Sequence, residues 1–164
     1  MRRKNVSAAF CLILLGVVCA PTAAQGDDQK AFASVPETIR PHLIERFQLL
    51  VLYEGGGQWD RQYDLLERRY AGDKDKYLAQ RQRNSSNPKD KWIFDFVAEH
   101  VEVGYNDNVQ ANYKVIGYAK VQERGCLVKR KGFVYAFLRN GEWYFSGFIV
   151  ELPTSHAPPV PCLT

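Results

Sequence analysis

The chain lacks the motifs that usually name a reaction. It has no HExxH, no GxSxG elbow and no GK[ST] phosphate loop, so zinc proteolysis, serine hydrolysis and P-loop chemistry have no starting point. Histidine is scarce, with three in 164 residues (His42, His100 and His156), and no CxxC occurs. A zinc site, a histidine-based triad and a thioredoxin-like dithiol are therefore unsupported, and no metal or cofactor is expected. The Gly55-Gly56-Gly57 run follows a helical pattern and reads as its terminator. No apolar run reaches the roughly 20 residues a membrane helix needs.

What is present begins with an N-terminal address. Arg2, Arg3 and Lys4 precede the uncharged, mainly apolar stretch Val6 to Ala20, Pro21 interrupts it, and Thr22-Ala23-Ala24 offers small residues for cleavage. Residues 1–24 read as a signal peptide and direct the protein to a secreted or periplasmic location, with no stable membrane span after processing. The segment carries three of the 22 basic residues, so the formal charge of +4 falls to 19 bases against 18 acids. A nearly neutral chain gives no reason to expect nucleic acid. Cys11 and Cys19 leave with the segment, and Cys126 and Cys162 remain as a candidate disulfide suited to an oxidising compartment.

About 140 residues then remain, enough for one domain with its own core. Residues 25–34 are polar and read as a flexible lead-in, 35–151 as the domain, and 152–164 as a Pro-rich tail. Ser34-Val35-Pro36-Glu37 has the form of a capping box, and Ile39, Leu43, Phe47, Leu50 and Val51 follow at helical spacing. Trp59, Tyr63, Leu66 and Tyr70 predict a second helix ending near Gly72, and Asp73 a cap for a third with Tyr77 and Leu78. Asn84-Ser85-Ser86 matches a glycosylation sequon.

From Trp92 onward the period changes to two. Ala111, Tyr113, Val115, Gly117, Ala119 and Val121 alternate with more polar residues, as in a strand with one buried face. Asn140-Gly141 predicts a two-residue hairpin turn that sets Leu138 opposite Trp143, Ala136 opposite Phe145, Tyr135 opposite Ser146 and Phe133 opposite Phe148. One face then holds Val134, Ala136, Leu138, Trp143 and Phe145. The other holds Phe133, Tyr135, Phe137, Tyr144, Ser146 and Phe148, and needs a cover from a partner subunit, the tail or a ligand.

Helices followed by a long antiparallel sheet give an α+β domain with its N-terminal helices packed on one side. This order, the segment Trp59-Asp60 with Tyr63 and Leu66, and the run from Gly132-Phe133-Val134-Tyr135-Ala136 through Asn140-Gly141-Glu142-Trp143-Tyr144-Phe145 resemble the nuclear transport factor two-like superfamily over roughly residues 35–151. The resemblance implies a cone-shaped fold, a curved sheet around helices, an apolar pocket between them and frequent homodimerisation.

Two strand residues are candidates for chemistry. Asp95, between apolar neighbours, could serve as a general base. His100 and Glu102 would share a face with Trp92, Phe94 and Phe96 if no bulge intervenes, which would put His100 at a pocket mouth. Tyr113, Phe133, Tyr135, Phe137, Tyr144, Ser146 and Phe148 are the pocket or interface candidates. These features predict an exported domain that binds a small apolar ligand or a partner, with a cofactor-independent isomerase, dehydratase or cyclase as the alternative.

Overall fold

The hairpin at Asn140-Gly141 fixes the register of the structure, a computed structural model that describes residues 24–86, 92–103, 111–123, 126–151 and 162. Both turn residues have positive φ, 52° and 85°, as a tight turn matching strand twist requires. Ala136, Phe137, Leu138 and Arg139 face Phe145, Tyr144, Trp143 and Glu142, as the turn predicts. Residues 1–23, which hold most of the expected signal peptide, the tail except Cys162, and His156 lie outside the described residues.

The elements are α1 (Ala24–Ala31), α2 (Arg40–Gly55), α3 (Trp59–Tyr63), α4 (Arg68–Ala71), α5 (Lys74–Ser86), β1 (Trp92–Val103), β2 (Tyr113–Glu123), β3 (Cys126–Arg139), β4 (Glu142–Phe145) and β5 (Ile149–Val150). They form an α+β domain. The five-stranded antiparallel sheet runs β1-β2-β3-β4, and β5 pairs with β3 beyond β4.

The N-terminal helical part differs from the pattern reading. Residues 25–34 are not a loose lead-in: α1 covers most of them, and Phe32 and Val35 beyond it are buried. Ser34 caps nothing and instead donates to the Val101 carbonyl at 2.7 Å, fastening the α1–α2 connection to β1. α2 starts at Arg40 with Pro41 in its first turn, where the missing amide hydrogen costs nothing. The expected second helix is two short ones. Between them Leu65 and Glu67 exchange backbone hydrogen bonds with Phe145 (2.9 and 2.8 Å), so this segment shields the β4 edge. Asp73 does cap α5, accepting from the Lys76 amide at 3.0 Å.

The core lies between α1, α2 and the inner sheet face. Leu43, Ile44, Phe47 and Leu50 form the buried stripe of α2. They meet Val115, Ala119, Val121, Val134, Ala136, Trp143 and Phe145, all buried. Phe47 is the hub, its ring centroid 5.4 Å from Phe32, 5.9 Å from Phe96 and 6.3 Å from Phe145. Burying each large side chain here contributes about 1.5–3 kcal/mol.

Register slips re-aim side chains. Ser146 still meets Tyr135, its amide donating to the Tyr135 carbonyl at 3.0 Å and its hydroxyl accepting from the Tyr135 amide at 3.1 Å. Gly147 then takes a φ of 80°, so Phe133 faces Ile149, not Phe148. Phe148 is thereby moved to the core, 5.0 Å from Phe96. In β1 the pairing slips between Ile93 and Asp95 and again between Ala98 and His100. Because side chains alternate with period two, the extra residue keeps Val101 buried and turns His100 outward.

Cys126 and Cys162 are joined in a disulfide, with Cα atoms 5.5 Å apart across 36 positions of sequence. Among the described residues, no helix is long and apolar enough to cross a membrane.

Candidate functional site

The outer sheet face does not assemble chemistry. Asp95 pairs with the Lys120 ammonium at 2.7 Å, and both are solvent-accessible, so its surroundings are a cation and water, not an apolar wall. His100 is 57% exposed and, among the described residues, reaches Glu102 at 3.9 Å. The bulge places both on the face opposite Phe96, so the expected pocket mouth does not form; the side chains of Trp92 and Phe94 lie outside the description. Among the described residues, no three His, Cys, Asp or Glu side chains gather as metal ligands.

The aromatic candidates divide between two faces. Tyr113 packs on Trp143 in the core at 5.6 Å, where burial raises its pKa, and Phe148 packs there too. Phe133, Tyr135 and Phe137 form a small outer cluster with Ala111. Phe137 is 0% exposed within the single chain. Tyr70 of α4 lies 5.5 Å from its ring and the guanidinium of Arg69 sits 4.8 Å above it. The cover that the second hairpin face requires is therefore supplied there by α4. Tyr144, half-buried, faces solvent beside this cluster, and the Ser146 hydroxyl is spent on the Tyr135 amide and the Gly147 carbonyl.

The unusual chemistry is at the helical end. Glu54 (5% exposed) and Gln62 (1%) are the buried polar side chains among the described residues. Glu54 continues the apolar stripe of α2 one turn beyond Leu50, and its carboxylate is bound by the Arg81 guanidinium and by the Gln62 amide. The Gln62 carbonyl in turn accepts from the Tyr77 hydroxyl at 2.6 Å and from Arg81 at 3.2 Å. One hydrogen-bonded cluster thus joins α2, α3 and α5. Burial, with the Glu54 charge adding to it, pushes the Tyr77 pKa up to about 12. Burial alone would lower that of Arg81, but Glu54 and Tyr77 together outweigh it and raise it. Pattern reading missed the cluster, although a glutamate at the next apolar position of a helix is its visible trace.

Beside this cluster a surface depression of about 520 Å³ opens between the α2–α3 turn, α3 and α5, lined by Gly57, Gln58, Trp59, Asp60, Arg61, Leu78 and Gln82. Gly57, at φ 64°, leaves the space its side chain would take to the Trp59 indole, which a Cβ there would approach to 3.3 Å. Arg61 donates to Gln58 at 3.2 Å, and Asp60 pairs with Lys74 at 2.9 Å. That contact leads the causes that raise the Lys74 pKa. Leu78 and Gln82 flank Arg81 on α5, so the depression and the polar cluster share their walls.

Fold and site thus define an α+β domain with an open antiparallel sheet and a surface depression braced by buried polar groups. No family model, no curated protein and no solved structure matches the chain.

Proposed function

We propose that the chain is an exported ligand-binding domain of the nuclear transport factor two-like type, holding its ligand in the depression around Trp59 and performing no chemistry at Asp95 or His100. The observation that carries this reading is the Glu54–Gln62–Tyr77–Arg81 cluster behind the depression. A buried charge is costly unless partnered; the Glu54 carboxylate has two partners while the Arg81 Nε is buried without one, and the partnered groups fix geometry. Here it clamps the three elements that line the depression, the rigid support a binding site needs. The volume is also in the range of small-molecule sites. Export is supported by the N-terminal pattern and by the disulfide, a bond that oxidising compartments sustain.

The test is a small-molecule screen on the processed chain, read by amide NMR shifts and by thermal stabilisation, which follows ligand concentration through mass action. The expected result is a set of shifts confined to residues 57–61 and 78–82. Shifts along the outer face of β1 and β2, with turnover of the bound molecule, would overturn the reading in favour of an enzyme. A homodimer belongs to the same proposal through the outer sheet face, where Val97 is 47% exposed and Leu127 39%. Light scattering across a concentration series checks it, and a monomer at every concentration removes it.

A further inference from the structure

We infer that the outer sheet face docks on the same face of a second copy in one orientation, with the basic corner of each copy on the acidic corner of the other; this rests on the reading of that face as a homodimer interface. The first observation is an apolar stripe without cover inside the chain. α4 covers the outer face at Phe137, toward one end of β3. Further along the strands the ladder sets Val97 beside Tyr118 and, in the next row, Ile116 beside Phe133 and Phe133 beside Ile149. Ile116, Tyr118 and Phe133 are half-buried, and Val97 and Ile149 at the two ends of the stripe are exposed. The stripe thus runs obliquely across β1, β2, β3 and β5, and contiguous apolar surface of this kind marks an interaction site.

The second observation is how charge divides about the stripe. On one side lie Lys120, Lys129 and Lys131. Lys120 is matched by Asp95 at 2.7 Å. Lys129 lies over the Tyr118 ring at 3.8 Å, a contact that cancels no charge, and neither it nor the exposed Lys131 meets a carboxylate among the described residues. On the other side are Glu99 and Glu102 of β1. Glu102 lies 3.9 Å from both His100 and Lys114. Glu99, the extra residue of the bulge, is exposed and meets no cation among the described residues.

An apolar stripe with opposite charge on its two sides is complementary to itself. A two-fold axis lying along the stripe sets each apolar residue on its own counterpart. The same axis carries Lys129 and Lys131 of one copy onto Glu99 and Glu102 of the other, and does so twice. An axis across the stripe would instead bring the two basic corners together and the two acidic corners together, which like-charge repulsion disfavours. A nucleic acid or an anionic membrane would call for one sign over the whole face, so the division of charge selects a second copy as the occupant.

The experiment compares the processed chain with two double variants, Lys129→Glu with Lys131→Glu and Glu99→Lys with Glu102→Lys, by analytical ultracentrifugation over a concentration series, after circular dichroism shows that each folds. One variant carries acid at both corners and the other carries base at both. The expected result is that each alone dimerises at least about tenfold more weakly than the parent, while their equimolar mixture recovers the parental affinity, because both contacts again join opposite charges. The dimer of the parent should also weaken as salt rises from low to physiological strength. Variants that dimerise as tightly as the parent, a mixture no tighter than its components, or a parent dimer indifferent to salt would overturn the orientation and leave the homodimer reading standing. A parent that stays monomeric at every concentration would overturn both.

Discussion

Phe47 and Glu54 lie on the same buried stripe of the same helix and solve burial in opposite ways. Phe47 is surrounded by rings at 5.4 to 6.3 Å, contacts that are non-directional and tolerate small rearrangements. Glu54 is held by two directional partners, and losing either leaves a charge or an amide without its match in a dry setting. The sheet end of α2 is thus built for stability, and its C-terminal end for position. Where a core changes from apolar to hydrogen-bonded along one helix, the hydrogen-bonded end is where precision is being maintained, and here it adjoins the depression.

This contrast can be broken experimentally. Phe47→Ala should cost about 4 kcal/mol through lost transfer energy and a residual cavity, read from denaturant midpoints. Arg81→Met should cost about 3 kcal/mol, because the Glu54 carboxylate stays buried without its cation. Adding Glu54→Leu should recover part of that loss, leaving the double variant about 1–2 kcal/mol below the parent because the buried Gln62 amide then lacks its acceptor. A double variant no better than Arg81→Met alone would show that the pair is not coupled.

Tyr77 gives the polar end a pH signature. Its pKa in the folded chain, about 12, lies above the ordinary 10.0, so its contribution is intact below about pH 10 and is lost as pH rises toward 12. Partial solvent contact trims the expected loss to about 2 kcal/mol. The difference between parent and Tyr77→Phe in alkaline unfolding isolates it from the other tyrosines. At the bottom of the scale, Asp95→Asn and His100→Ala should each move stability by less than about 0.5 kcal/mol. Both should leave ligand affinity at the depression unchanged.

The legible parts of the molecule are those written in adjacent residues. Asn140-Gly141 dictates a turn locally, and the alternation in residues 113–121 dictates a buried face, so hairpin register and fold class could be read directly. The slip at Ser146-Gly147 could not, because it depends on a hydroxyl reaching the Tyr135 amide across the sheet. The bulge before His100 was equally hidden: the same residues read as an unbroken strand place that side chain inward. The cover over Phe137 comes from Arg69 and Tyr70, remote in sequence, whose spacing suggested a continuous helix. Of the site, Trp59 is legible as a helix position and as part of the family resemblance, not as a lining residue. Gln62 and Arg81 look like surface positions, Glu54 and Tyr77 merely fall on helical stripes, and only tertiary contact makes the four one cluster.

The Cys126–Cys162 bond has a consequence for how the protein withstands cleavage. It turns residues 126–162 into a covalent ring that contains β3, β4 and β5 and the Pro-rich run. A protease that cuts once between Leu127 and Pro161 opens the ring but releases no fragment. Such nicked protein should migrate as one species on a non-reducing gel and as two after reduction. A domain built this way can lose a peptide bond in its tail and still keep every strand of its sheet attached.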